Sequence, residues 1–283
     1  MDGAHATVET PSGKGSGDEN FPVGSWLLAP RLRPHVAAFY ALARATDDIA
    51  DNPDLAPDDK LRRLNGFLDA LCGDGAADPA HATAARARHS MAACGVTTRH
   101  LADLIDAFKQ DATKRRYADW DDLIGYCDRS AAPVGRFLLD LHGEDPAHWI
   151  ASDALCDALQ VLNHVQDCKD DYLALDRVYL PGDRMAAHGA VVEDLAAERA
   201  SPALRRVLDD ALAGVGDLMV RARTLPGRLN SRRLAMESAV IVRLADRLAA
   251  LLAASDPIAG RVALRKPDFA LCGMRGMWAG LTE

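Results

Sequence analysis

Aromatic side chains supply only 5% of the 283 residues, and Val and Ile are sparse beside Ala, Leu, Arg and Asp. That shortage disfavours a sheet-rich fold, because strands draw on β-branched and aromatic residues whereas this palette suits helices. No apolar run reaches the ~18 residues of a membrane span, and the first twenty residues lack the apolar core of a signal peptide, so a cytoplasmic address is expected. The six cysteines, Cys72, Cys94, Cys127, Cys156, Cys168 and Cys272, form no C-x-x-C pair and no zinc-type cluster with His. Reduced, mostly buried thiols are expected. Basic charge is in deficit: 33 Lys and Arg against 41 Asp and Glu leave a net charge of −8, which argues against nucleic acid as a partner. A dinucleotide fingerprint is also missing, which accords with no nicotinamide cofactor without deciding it; Gly13, Gly15 and Gly17 follow no strand and are read as part of a tail.

That tail, residues 1–20, is rich in Gly, Ser and Thr and is expected to be disordered. From 21 to 283 the pattern predicts one all-α domain. Helices are expected over Leu32 to Asp51, ended by Asn52-Pro53, and over Pro57 to Leu71, opened by Pro57 with Asp58 and Asp59 at its positive end. Further helices are expected over Ala80 to Cys94, Thr98 to Asp111, Trp120 to Arg129, Ser152 to Asp171, Val191 to Arg199, Pro202 to Arg223 and Leu229 to Ala254. The small residues of Ser130-Ala131-Ala132-Pro133-Val134-Gly135 predict a kinked helix, serving either close helix packing or room for a bulky apolar ligand.

Two helices carry polar residues where a core-facing stripe should be apolar. Tyr40, Arg44, Asp47 and Asp51 stand at offsets 0, 4, 7 and 11, and Gln160, Asn163, Asp167 and Asp171 at offsets 0, 3, 7 and 11. At ~100° per residue each set falls within an arc of roughly 80°, one longitudinal stripe per helix. A single Asp-x-x-x-Asp is usually solvated surface charge. Here two occur, each continued upstream by polar residues and flanked by apolar ones: Phe39, Leu42 and Ile49, then Leu159, Leu162 and Val165. Two such helices facing each other would line a wet cavity inside a bundle. Carboxylates at that density repel unless a cation is present. Mg²⁺, which takes oxygen ligands and bridges protein carboxylates to substrate phosphate, is the expected cofactor, and a diphosphate the expected ligand.

Arg44 is expected either to pair with Asp47 one turn on or to neutralise a departing diphosphate. Arg177 and Lys114-Arg115-Arg116 are further candidates, although a solvated basic face explains the cluster as well. His164 is read as structural or exposed rather than as a base. Tyr40 and Tyr179 are expected to face a carbocation or to pack in the core.

With Phe39-Tyr40-Ala41-Leu42-Ala43-Arg44-Ala45-Thr46-Asp47-Asp48-Ile49-Ala50-Asp51 and Gln160-x-x-Asn163-His164-Val165-Gln166-Asp167-x-x-x-Asp171 identified, the chain resembles the squalene/phytoene synthase family from Phe21 onward. Tyr126-Cys127-x-Arg129-Ser130-Ala131-Ala132-Pro133-Val134-Gly135 and Leu162-Asn163-His164-Val165-Gln166-Asp167-Cys168 are most similar to the bacterial members that serve hopanoid biosynthesis. The resemblance implies a single-domain isoprenoid-synthase helical bundle around a central cavity. It implies Mg²⁺ on Asp47, Asp51, Asn163, Asp167 and Asp171, and diphosphate or prenyl contacts from Tyr40, Arg44, Gln160 and Gln166. Asn20 and Phe21 are carried over from a segment that here reads Glu19-Asn20-Phe21-Pro22, and Gln166 stands where the family commonly has a basic residue. The implied activity is a carbon–oxygen lyase that takes presqualene diphosphate, loses diphosphate, rearranges the cation and captures it with water as hydroxysqualene, without a reductant.

Two rivals accompany that reading. One is head-to-head condensation of two prenyl diphosphates; the other is a non-catalytic helical scaffold of the same fold. Phe269, Leu271, Met274, Met277 and Trp278 would form a peripheral membrane contact or a closing helix packed on the core.

Overall fold

The computed structural model describes residues 8–10, 28–73 and 78–282, with side chains through Met274. Among these residues every regular element is helical; the nearest approach to a sheet is an isolated parallel bridge between Arg116 and Val178. The all-α expectation is therefore met. Where the sequence predicts one domain, the chain divides into two compact units, Met1–Thr113 and Lys114–Glu283. The boundary falls there because the residues just beyond it are committed to the second unit. Lys114 pairs with Asp122 at 2.5 Å, Arg115 donates to the Leu175 carbonyl, and Arg116 binds Asp176.

The first unit holds α1 (Arg33–Asp51), α2 (Pro57–Cys72), α3 (Ala82–Cys94) and α4 (Arg99–Asp111). Each helix begins or ends where the local chemistry dictates. Pro at the first turn opens α1 and α2, Asp58 and Asp59 complement the positive end of α2, and Gly95 in the left-handed region (φ 74°) closes α3. Leu42, Ile49, Leu64, Phe67, Leu71, Met91, Leu101, Leu104 and Ile105 are essentially inaccessible. Each contributes roughly 1.5–3 kcal/mol of transfer free energy. The sequence places 8–10 in a disordered tail, yet Thr10 donates to the Asp48 carbonyl (3.2 Å), Arg63 to the Val8 carbonyl (2.9 Å) and Thr83 to Glu9. These three residues pair their polar groups with α1, α2 and α3. The rest of 1–20, including Gly13, Gly15, Gly17 and Asn20, lies outside the described residues, as does Phe21.

The second unit holds α5 (Trp120–Ser130), α6 (Ala132–His142), α7 (Trp149–Gln166), α8 (Cys168–Leu175), α9 (Gly182–His188), α10 (Pro202–Ala222), α11 (Arg232–Ala254) and α12 (Lys266–Thr282). Side-chain caps start three of them: Asp119 accepts from Asp122 N–H, Ser201 from Leu204 N–H and Ser231 from Leu234 N–H. α7 is the central element, packed against α5, α6, α10 and α11. The kinked helix predicted near Pro133 is a full break at Ala131 (φ −130°, ψ −48°), since Pro133 cannot donate to the preceding turn. Its small residues serve packing: a Cβ on Gly135 would lie 2.3 Å from Ser152 Oγ and 2.7 Å from Cys156 Sγ. The helix expected over Val191 to Arg199 is only a 3₁₀ turn, Val192–Ala196. All six cysteines are free thiols; Cys127, Cys168 and Cys272 are buried and Cys72 is exposed.

Candidate active site

In the first unit Tyr40, Arg44, Asp47 and Asp51 are all half-buried, while their neighbours Phe39, Leu42, Ile49 and Ala50 are closed off. The stripe is thus a partly open arc over the last turns of α1. Arg44 is its internal counter-ion: its guanidinium donates to Asp47 Oδ2 at 2.5 Å and to Asp48 Oδ1 at 2.9 and 3.0 Å. The cation does not balance the cluster. Burial pushes the Asp47 carboxyl well above the usual carboxylate range; Asp51 raises it further, Arg44 opposes the rise, and Asp111 and Asp48 reinforce it. Asp111 is the buried last residue of α4, and Asp48 is buried beside Arg44. Lys60 of α2, also buried, donates to the Ala50 carbonyl at 2.7 Å and so pins the end of α1 beside Asp51.

In the second unit Gln160, Asn163, Asp167 and Asp171 are likewise half-buried. They do not share one continuous helix, as the spacing predicts. Asp167 separates α7 from α8 with φ −103° and ψ 9°, the sparsely populated bridge region where active-site residues are often found. The ladder survives the break, for Asp167 N–H donates to the Asn163 carbonyl and Asp171 N–H to the Asp167 carbonyl, both at 2.9 Å. The three ligand candidates are therefore chained one to the next by their own backbone.

Beside this stripe lies an aromatic cluster. His164 stacks on Tyr179 at 3.6 Å between ring centroids, and Tyr179 stacks on Tyr117 at 5.4 Å, with Tyr126 at 5.4 to 5.9 Å from all three rings. His164 Nε2 is buried without a hydrogen-bond partner. Burial, reinforced by Arg177, pushes its pKa down to about 3, so the ring is neutral. Arg177 is itself buried, directly after Asp176 in the left-handed conformation (φ 53°) that Arg116 holds.

Among the described residues no three His, Cys, Asp or Glu side chains converge into a ready-made metal cage. The donors present suit Mg²⁺ all the same, because that ion rests on one or two carboxylates and completes its shell with water and substrate phosphate. The crowded Asp47 carboxyl is the feature that a divalent cation would relieve.

Comparison with known proteins decides the family. Residues 15–268 match the model of squalene/phytoene synthase. The chain belongs to the squalene/phytoene synthase family. The hydroxysqualene synthase of Rhodopseudomonas palustris is 45% identical over 269 residues, covering 95% of this chain and 91% of that protein. Its counterpart from Sinorhizobium fredii is 42% identical over 260 residues, covering 92% and 88%. Among solved structures, squalene synthase HpnC from Alicyclobacillus acidocaldarius superimposes with a TM-score of 0.70 at 31% identity, over 81% of this chain and 85% of that one. The family's helical isoprenoid-synthase fold is the one observed.

Several predicted site residues stand in unexpected surroundings. Gln166 does not share the half-open arc of Asp167; it is buried, with its amide donating to the Val262 carbonyl. Arg177 and Tyr179 are buried with His164 rather than displayed. Lys114, Arg115 and Arg116 are spent on Asp122, Leu175 and Asp176, with Lys114 Nζ also 4.5 Å from the Tyr117 ring centroid. Spacing missed Asp111, Lys60 and Asp48. Asp111 and Lys60 lie on other helices, and Asp48 sits one position off the stripe, so none shares its periodicity.

Proposed function

We propose that this protein is a Mg²⁺-dependent hydroxysqualene synthase, a carbon–oxygen lyase acting on presqualene diphosphate. The observation that carries the proposal is the 45% identity to a hydroxysqualene synthase over nearly the whole chain, with both acidic stripes intact. Asp47 and Asp51 in the first unit, and Asn163, Asp167 and Asp171 in the second, are the residues that would hold Mg²⁺, which would supply charge neutralisation to the leaving diphosphate. Arg44, placed among the carboxylates, would be shared between them and the diphosphate oxygens. Tyr40 and Gln160 are assigned the remaining contacts; buried Arg177 and Tyr179, and Asn20 and Phe21, are assigned to the same substrate from sequence alone.

The chain's part in the reaction is binding and protection. The carbon–oxygen bond to diphosphate breaks with both electrons leaving on oxygen, the cyclopropylcarbinyl cation rearranges, and one water forms the new carbon–oxygen bond and gives up a proton. Neutral His164, stacked on Tyr179 within a buried cluster that includes Tyr117 and Tyr126, gives the second unit a π-rich region compatible with a cation. Incubating the protein with Mg²⁺ and presqualene diphosphate, against farnesyl diphosphate alone, tests the reading. Hydroxysqualene from the former without any nicotinamide is expected. Turnover of farnesyl diphosphate alone, to presqualene diphosphate or a C30 hydrocarbon, would favour the head-to-head synthases instead.

The oily product accords with peripheral attachment to a lipid surface through α12. No helix is long and apolar enough to cross a membrane, among the described residues. α12 packs on α11 through buried Cys272 and the Asp268–Arg247 pair, while Phe269, Leu271 and Met274 are 38%, 44% and 62% exposed. Arg261, Arg265 and Lys266 are exposed alongside them, a local positive run in a chain of net charge −8. The proposed lipid contact would use this exposed part of α12; the side chains of Met277 and Trp278 lie outside the described residues.

A further inference from the structure

The break at Asp167 is gripped from both sides by one distant loop. Gln166, immediately before it, donates its side-chain amide to the Val262 carbonyl, 96 residues along the chain. Lys169, two residues after it, donates from Nζ to the Ile258 carbonyl at 3.1 Å, 89 residues away, and to the Ala197 carbonyl at 2.7 Å. Val262 and Ile258 both belong to the non-helical segment 255–265 that joins α11 to α12. Gln166 is buried against the loop whereas Asp167 and Asp171 are half-buried, so the loop holds the break from its buried side.

The loop is rigid enough to act as an anchor. Asp256 accepts from Ile258 N–H at 2.9 Å and from Ala200 N–H at 3.0 Å. Arg205 of α10 donates to the carbonyls of Ser255 (2.9 Å) and Leu252 (3.2 Å), and Ile258 and Val262 are buried. Ordinary helix packing would not need a buried amide and an ammonium aimed at loop carbonyls on either side of one residue. What the two bonds fix is the bridge-region conformation of Asp167, and with it the backbone ladder from Asn163 to Asp171.

We propose that Gln166 and Lys169 are positioning residues that hold Asp167 and Asp171 in place for Mg²⁺, using the 255–265 loop as a fixed support. This rests on the metal reading above. It gives Gln166 a role that needs no contact with substrate, and links the root of α12 to the second acidic stripe.

The test is calorimetric titration of the full-length protein with Mg²⁺ in the presence of inorganic pyrophosphate, with thermal unfolding of the metal-free protein measured alongside. Outer-shell partners typically govern metal affinity by about 10–100-fold. Gln166→Leu and Lys169→Met are expected to weaken Mg²⁺ binding by that factor, and Lys169→Arg to recover it to within about threefold. Should Lys169→Met fail to fold, Asp256→Asn, which loosens the loop without touching α7 or α8, carries the same expected loss. Folded variants that bind Mg²⁺ as wild type does, with only their melting temperature lowered, overturn the proposal and leave the metal reading standing. No Mg²⁺–pyrophosphate binding by the wild-type protein overturns both.

Discussion

Asp157 puts a number on the strain carried by α7. Its carboxyl is 3% exposed, and Oδ1 has no hydrogen-bond partner. Burial first, then Asp128 and Asp153, push its pKa from 3.8 up to about 8, with Arg136 opposing. Across that window the folded protein keeps a proton that the unfolded chain has already lost. Stability is therefore intact below about pH 4 and falls as pH rises, at up to ~1.4 kcal/mol per pH unit, until the folded value is passed. From pH 5 to pH 7 the loss from this one group is about 3 kcal/mol. Asp157→Asn cannot titrate, and its cost is a pH-independent ~1–3 kcal/mol for amide donors left without partners. The variant should be no more stable than wild type near pH 5 and clearly more stable at pH 7 to 8. Urea unfolding at pH 5, 6, 7 and 8, followed by far-UV circular dichroism, gives the difference at each pH. If the two stability curves run parallel, the buried carboxyl is not protonated in the folded state and the reasoning is wrong.

Other outcomes follow from the same geometry. Asp47→Ala and Asp167→Ala should each lower turnover of presqualene diphosphate by about two orders of magnitude or more, with the folded stability at pH 7 of Asp47→Ala equal to or above wild type, because a crowded carboxyl is removed. Retained turnover in either variant would discard the two-stripe mechanism. Arg44→Met strips Asp47 and buried Asp48 of their shared guanidinium and should cost about 2 kcal/mol or more in chemical denaturation; an unchanged midpoint would show the pair to be idle. Glu144 is buried and accepts from Asn230 N–H, Asn230 Nδ2 and Ser231 N–H at the start of α11, so Glu144→Ala should destabilise by about 2–4 kcal/mol. Vesicles containing anionic phospholipid should co-sediment the protein at low salt, and Leu271→Asp with Met274→Asp should release it; equal binding by the double variant would remove α12 from the interface.

Periodicity made most of the helices legible, because an amphipathic stripe and its terminators are local. Pro57 with Asp58 and Asp59, Asn52-Pro53 after α1 and the expected start of α10 at Pro202 mark boundaries that hold to within a residue or so. The two acidic stripes were legible for the same reason, since spacing alone predicts a shared arc. Helical arithmetic failed where one residue leaves the helical region: Ser152 to Asp171 reads as a single helix, and nothing near Asp167 marks the break that the distant Val262 and Ile258 carbonyls hold.

The sequence by itself determined the fold class, the absence of an apolar span, and which oxygens are available to a divalent cation, because these depend on residue type and spacing along one chain. Tertiary structure alone decided what surrounds those oxygens. Asp111 and Lys60 arrive beside the first stripe from α4 and α2, Gln166 turns away to a carbonyl 96 residues distant, and His164 loses its proton under Tyr179. Burial, and the charges that burial brings together, belong to contacts between segments far apart in the chain, and no local pattern encodes them.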